Sequence, residues 1–138
     1  FNANIETLEM EQHFGFDMAL VPEEVYMNEK IISSLPHKIK CGVYIKLNPY
    51  RNYNWHQDAE RNVSINLLLT PNIRYHTLFG RSTESEDQME FIEMAYKPNT
   101  FYLFNNQISH SVINFDEPRY LFSLQFEENG LTYENFLR

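Results

Sequence analysis

The chain has 138 residues, a formal net charge of −8 and 15% aromatic residues, but only four glycines and six prolines. This length suits one globular domain, and the composition argues against a disordered or low-complexity chain. The acidic balance argues against broad nucleic-acid binding, which needs a basic face. We therefore expect residues 1–138 to form a single domain.

The sequence also bears on the compartment of the protein. No apolar run approaches the length of a membrane span, and the first residues include Glu6, Glu9 and Glu11 where a signal peptide would be basic and then apolar. A single cysteine, Cys41, excludes an internal disulfide and fits a reducing compartment. We expect a cytoplasmic protein without a membrane contact. The chain begins with Phe1 and not with Met, as a fragment of a longer protein would.

The first predicted element is an N-terminal helix in the stretch PEEVYMNEKIISSL, residues 22–35. Pro22 suits a first helical turn, acids follow it, and Pro36 ends the pattern. The apolar face of this helix would contain Val25, Ile31, Ile32 and Leu35.

The rest of the chain predicts short strands, because β-branched and aromatic residues alternate with turn-forming clusters. The predicted strands are CGVYIKLN (41–48), RNVSINLLLT (61–70), IRYHTLFG (73–80), MEFIEMAY (89–96), TFYLFNN (100–106), SHSVINF (109–115) and RYLFSLQFE (119–127). Short strands with little helix between them predict an antiparallel sandwich or barrel.

The strand at residues 61–70 is apolar on one face and mixed on the other. The apolar face contains Val63, Ile65, Leu67 and Leu69, and the mixed face contains Ser64, Asn66, Leu68 and Thr70. A polar cavity inside the barrel would produce this pattern, and so would a strand with one wet face. The pattern leaves both open.

Charge is distributed unevenly along the chain. Residues 30–81 contain eight bases against two acids, whereas the segments on either side are acidic. A positive block in an acidic protein can attract an anion. The alternative interpretation is an ordinary solvated surface.

One pattern of side chains suggests a metal site. His56 and Asp58 lie at i and i+2, on one side of the chain if it is extended there. Imidazole and carboxylate suit Fe(II), Mn(II) or Zn(II). His110, in a later predicted strand, would complete a two-histidine, one-carboxylate facial triad, which leaves open positions for a co-substrate and O2. Surface or structural histidines are the alternative.

Arg119 follows His110 by nine residues and opens the last predicted strand. A guanidinium there can pair bidentately with a carboxylate, and Ser123, on the same strand face, can add a hydroxyl. A buried arginine needs an anion, either a ligand or a protein acid. The alternative is an ordinary surface residue that pairs with the nearby Asp116 or Glu117.

Together the motifs WHQD and KPNTFYLFNNQISHSVINFDEPRYLFSLQF resemble the superfamily of 2-oxoglutarate- and Fe(II)-dependent oxygenases, nearest to its prolyl-hydroxylase-like members. The resemblance covers about residues 41–127. It implies an all-β fold with minor α content, namely a double-stranded β-helix (a cupin-like jelly roll) with an N-terminal helix. It also implies that His56, Asp58 and His110 bind Fe(II), and that Arg119, helped by Ser123, binds the far carboxylate of 2-oxoglutarate.

The implied activity is that of a dioxygenase that hydroxylates a small molecule or a peptide or protein side chain with O2, releasing succinate and CO2. The sequence departs from the family in residues 61–70, which lack the tyrosine that often binds the co-substrate. Asn66 or Ser64 could replace it. Tyr44, which shares a strand face with Lys46, is the nearest match to a second family tyrosine. A metal-binding jelly-roll module without turnover and a cupin-like metalloenzyme that uses no 2-oxo acid are the alternatives. The sequence predicts no oligomeric state.

Overall fold

The computed structural model describes residues 11–12, 16–59, 61–128 and 130–137. Within these residues the chain forms ten β-strands and two short α-helices. In chain order the elements are β1 (Glu11–Gln12), β2 (Asp17–Val21), α1 (Glu23–Tyr26), α2 (Lys30–Ser33), β3 (Ile39–Leu47), β4 (Asn52–His56), β5 (Val63–Leu68), β6 (Tyr75–Ser82), β7 (Met89–Glu93), β8 (Tyr102–Asn105), β9 (His110–Asn114) and β10 (Arg119–Phe126).

The strands form two antiparallel sheets. The first has the order β1-β2-β3-β10-β5-β8, and the second has the order β4-β9-β6-β7. From β3 to β10 every connection crosses from one sheet to the other, except the β6–β7 hairpin. This winding is a double-stranded β-helix, so the predicted fold class is confirmed.

All seven predicted strands are present, most of them shorter than the sequence pattern suggested. Three more strands, β1, β2 and β4, were not predicted. The sequences of β2 (DMALV) and β4 (NYNWH) contain Asp, Ala and Asn, which are uncommon in strands. Their pairing partners β3 and β9 hold them extended, which no local pattern reveals.

The predicted helical segment at residues 22–35 is present, but as two separate turns of helix, α1 and α2, and not as one continuous helix. The Asn28 side chain donates to the backbone carbonyl of Glu24 at 2.7 Å at the break. Such a bond offers the backbone an alternative to a continuing helix. Only Tyr26 and Ile32 of the two helices are buried. No helix in the described part of the chain is long and apolar enough to cross a membrane.

The two faces of the six-stranded sheet pack against different partners. On the outer face Leu67 lies opposite Phe122, in an apolar cluster with Tyr26 and Ile32 of the helices. On the inner face Asn66 lies opposite Ser123. All six residues of β5 are buried. The mixed face of this strand is therefore not wet, but lines the space between the sheets.

Gly42 permits the close packing of β3 against the outer cluster. A Cβ at this position would lie 2.8 Å from ring atoms of both Phe122 and Tyr26. Gly42→Ala should lower the free energy of unfolding by about 1–3 kcal/mol, because both rings are buried and have little room to shift. Urea unfolding followed by circular dichroism measures the change.

Gly130→Ala is the matched control, since nothing lies within 4 Å of a Cβ there. We expect it to leave stability unchanged or slightly higher. Equal destabilisation by both substitutions would contradict the role of Gly42.

Candidate metal centre

Strand pairing brings the three predicted ligands together. His56 is the last residue of β4, His110 is the first residue of β9, and the two are register partners in the ladder. Asp58 follows β4, where its backbone N–H donates to the carbonyl of Asn106 at 3.1 Å. The loop after β4 therefore turns back towards the histidine pair.

The donor atoms of the three side chains converge. The Asp58 Oδ1 atom lies 3.3 Å from His56 Nε2 and 3.7 Å from His110 Nε2. The donor atoms of the three residues all lie within 4.8 Å of one another. The geometry that the sequence predicted for this trio is present, and two nitrogens with one carboxylate oxygen suit a divalent ion such as Fe(II), Mn(II) or Zn(II).

The outer nitrogens of both imidazoles are held by the backbone. His56 Nδ1 lies 2.5 Å from the carbonyl oxygen of Asn54, and His110 Nδ1 lies 2.8 Å from that of Ile108. A carbonyl only accepts, so each Nδ1 donates and each Nε2 keeps its lone pair for the centre of the trio. His56 Nε2 is buried and has no hydrogen-bond partner among the described residues. A metal ion would satisfy this orphaned atom.

The two carboxylate oxygens of Asp58 have different roles, since Oδ2 accepts hydrogen bonds and Oδ1 faces the histidines. Its Oδ2 accepts hydrogen bonds from Arg61 Nε and Asn106 Nδ2, both at 2.6 Å. Burial raises the pKa of the Asp58 carboxyl, but the Arg61 guanidinium, together with His110 and Asn106, outweighs that effect and holds the pKa below its ordinary value. Asp58 is thus an ionised ligand with Oδ1 aimed at the histidines.

A cavity of about 80 Å³ lies between the sheets and reaches the trio at His110. That volume is several times the roughly 10–15 Å³ that one water molecule needs. Its lining includes His110, Arg119, Asn66, Thr77 and Tyr96. The cavity could hold a small polar ligand next to the candidate metal centre.

Arg119 lies inside this cavity with only 4% of its surface exposed. Its NH2 group donates to Thr77 Oγ1 at 3.2 Å, and its guanidinium carbon lies 5.2 Å and 5.7 Å from the ring centroids of Tyr75 and Tyr96. No described carboxylate forms an ion pair with it, and its Nε has no hydrogen-bond partner among the described residues. Burial lowers the pKa of Arg119, yet a guanidinium stays charged in proteins. A buried charge without a partner is unfavourable, so a bound anion would stabilise Arg119.

A hydrogen-bond network links the metal centre to this arginine pocket. Arg61 NH1 donates to Ser123 Oγ at 3.2 Å, and Ser123 Oγ donates to Asn66 Oδ1 at 2.7 Å. Asn66 Nδ2 in turn donates to the hydroxyl of Tyr96 at 3.3 Å. Ser123 is therefore bonded to Arg61 and Asn66, and is linked to the Arg119 pocket through Asn66 and Tyr96.

Tyr44 lies elsewhere, and its predicted contact with the pocket is corrected. It is the register partner of Phe122 and belongs to the cluster on the outer face of the sheet. Its neighbours Ile45 and Leu47 line the cavity instead. Successive side chains of a strand point to opposite faces, so residue 45 faces the cavity and residue 44 faces the outer cluster.

Sequence reasoning missed Arg61, Asn106 and Tyr96. Arg61 lies three residues after Asp58, a spacing that could have suggested the ion pair. Asn106 and Tyr96 reach the site only through the pairing of β5 with β8 and the chain path after β7. No local signal marks them.

Comparisons with known proteins show the fold. No family model and no curated protein matches the chain. The structure of Drosophila melanogaster CENP-C bound to CAL1 is 14% identical with a TM-score of 0.52, over 90% of this chain and 84% of that one. The Schizosaccharomyces pombe Cnp3 cupin domain is 10% identical with a TM-score of 0.54, over 91% and 74%. KdgF from Halomonas sp. is 13% identical with a TM-score of 0.51, over 94% of each chain.

These likenesses define a class: the protein has the cupin fold, a jelly-roll barrel. At such low identity they carry no activity from those proteins to this one. The narrower resemblance to prolyl-hydroxylase-like oxygenases is not among these findings and stays a prediction from the motifs. The His-Asp-His group itself is a candidate metal site.

We predict that the chain binds one Mn(II) or Zn(II) ion. Loss of a side chain that only orients a metal ligand typically weakens metal binding about 10–100-fold, and Asp58→Asn, which changes a ligand itself, should weaken it at least as much. Asn106→Ala should weaken it within that range, because Asp58 then loses one of its anchors. Calorimetric titration measures both.

Asp116→Asn is the control, since among the described residues this exposed carboxylate pairs only with the surface residue Arg74. Equal affinity of the wild type and Asp58→Asn would exclude the site.

We also predict a pH dependence of stability in the metal-free protein. Burial lowers the pKa of His110 below its ordinary value. In the unfolded chain His110 takes up a proton near pH 6.5, whereas in the folded chain it does so only at lower pH. The free energy of unfolding therefore falls as the pH falls below about 6.5. Urea unfolding at pH 7.5 and 5.5 should show a smaller decrease for His110→Gln. An equal decrease in both proteins contradicts this.

Proposed function

We propose that the protein is an Fe(II)- and 2-oxoglutarate-dependent dioxygenase that hydroxylates a small molecule or a protein side chain. The single observation that carries the proposal is Arg119, a buried guanidinium without an acid partner among the described residues, in the cavity that begins at His110. A dicarboxylate that binds the ion at one end could pair with Arg119 at the other. Bidentate pairing is the preferred geometry of arginine with a carboxylate.

In this proposal the chain holds and orients the reactants. His56, Asp58 and His110 would hold Fe(II) on one side and leave its other positions open. The ion with its bound 2-oxo acid supplies the activation of O2, with release of succinate and CO2. Tyr96 would take the place of the family tyrosine that residues 61–70 lack, because its hydroxyl receives a bond from Asn66 and its ring flanks Arg119.

A second candidate is a cupin-fold metal-binding module without turnover, or a cupin metalloenzyme that uses no 2-oxo acid. The comparisons favour it over the dioxygenase, because the similar solved structures include the cupin domains of Drosophila melanogaster CENP-C and Schizosaccharomyces pombe Cnp3. In this case Arg119 would hold another anion or a structural water cluster. The two candidates share the metal site and differ in the need for 2-oxoglutarate.

The test adds Fe(II) and then 2-oxoglutarate without oxygen. The dioxygenase should give a new visible absorption band and, after O2 is admitted, succinate. Arg119→Met, which keeps the buried volume but removes the charge, should lose both while Mn(II) binding persists. Arg74→Met, which removes an exposed arginine, should behave as the wild type.

Metal binding with no effect of 2-oxoglutarate would reject the dioxygenase and favour the second candidate. If Arg119→Met no longer folds, Arg119→Lys provides the measurement. Lysine keeps the charge but cannot pair bidentately, so the affinity for 2-oxoglutarate should fall while the metal site stays intact.

A further inference from the structure

An open groove of about 670 Å³ adjoins the metal centre, and its lining does not include Arg119. It borders His56 and Asp58 and continues past Lys40 into an outer groove of about 470 Å³. Arg61 lines both grooves and also the cavity of about 80 Å³ between the sheets, here called the inner cavity. A ligand in the open groove would therefore touch the metal centre without entering the arginine pocket.

The acids that line these grooves are already engaged. Glu127 pairs with Lys38 at 2.9 Å, and Glu128 accepts from the backbone N–H of Lys38 at 3.1 Å and contacts the His37 ring. Asp58 is held by Arg61. Lys40, which lines both grooves, has no ion pair with a described residue. Its exposed ammonium group can therefore pair with an anion.

Arg61 is the second base that lines both grooves, and its Nε donates to Asp58 Oδ2. A divalent ion on the His-Asp-His trio would add further positive charge at the same place. Charged clefts concentrate ligands of opposite sign even when the whole protein carries the same sign as the ligand, as this acidic chain would.

Aromatic rings flank the charge. Phe16, Tyr53 and Phe126 line the open groove, and all three are half-buried. The Tyr53 ring packs edge-on against Phe16, with 5.2 Å between centroids, and against His56 with 4.1 Å. Such rings offer apolar surface within reach of the metal centre.

We propose that this groove binds an anionic ligand, with Lys40 paired to its carboxylate or phosphate group and Tyr53 and Phe126 packed against its apolar part. Naming this ligand as the substrate rests on the proposed function; the binding does not. Of the eight bases in the basic segment 30–81, only Lys40 and Arg61 line these grooves.

The test is a titration of the metal-free protein, followed through backbone amide shifts in NMR spectra, with phenyl phosphate, phenylacetate and benzyl alcohol. The metal is left out because phosphate would otherwise bind the ion itself. We expect shifts at Lys40, Tyr53 and Phe126 with at least one of the two anions and much weaker binding of the neutral alcohol. The better anion identifies the class of charged group. Affinity should fall as salt rises.

Lys40→Gln should weaken binding of that anion about three- to fivefold, which is the scale of an exposed ion pair. Lys97→Gln is the control, because Lys97 is exposed and lines none of these cavities. Unchanged affinity in Lys40→Gln, or shifts confined to the inner cavity at Thr77 and Leu121, would overturn the proposal. Because no metal is present, this outcome is independent of whether the dioxygenase proposal holds.

Discussion

The pairing of β4 with β9 is the constraint on which the site depends. It places His56 opposite His110, and their backbone-held Nδ1 atoms leave both Nε2 atoms facing Asp58. A shift of one residue in this ladder would turn one imidazole to the other face of the sheet. The irregularity between Tyr53 and His56 sets the local register at the end of β4. The metal centre is thus a consequence of strand register and of the loop that follows it.

The polar interior of the barrel follows from the same arrangement. The inner faces of β5 and β10 carry Asn66, Ser123 and Arg119, whose burial would be unfavourable without partners. Asn66 and Ser123 are satisfied by each other, by Arg61 and by Tyr96. Arg119 is the member whose charge the described residues leave uncompensated. A barrel that served only stability would gain more from apolar side chains there.

The cupin fold and the site give different kinds of information. The fold is shared with proteins as different as CENP-C bound to CAL1 and KdgF, so it does not fix an activity. The donor set, the orphaned Nε2 of His56 and the buried charge of Arg119 belong to this chain. Function is therefore argued from these groups, and the barrel explains why they meet.

The sequence by itself determined seven of the ten described strands and singled out His56, Asp58, His110 and Arg119 as candidates, because alternation and spacing are local properties. The strand pattern left sandwich and barrel open, and the motif resemblance implied the jelly roll. Only the tertiary structure decided that the mixed face of β5 is buried and that Tyr44 lies on the outer face. It also brought Arg61, Asn106 and Tyr96 to the site and divided the predicted helix. These features depend on which strands pair and in which register. Contacts between residues far apart in the chain set that register, and no local pattern encodes them.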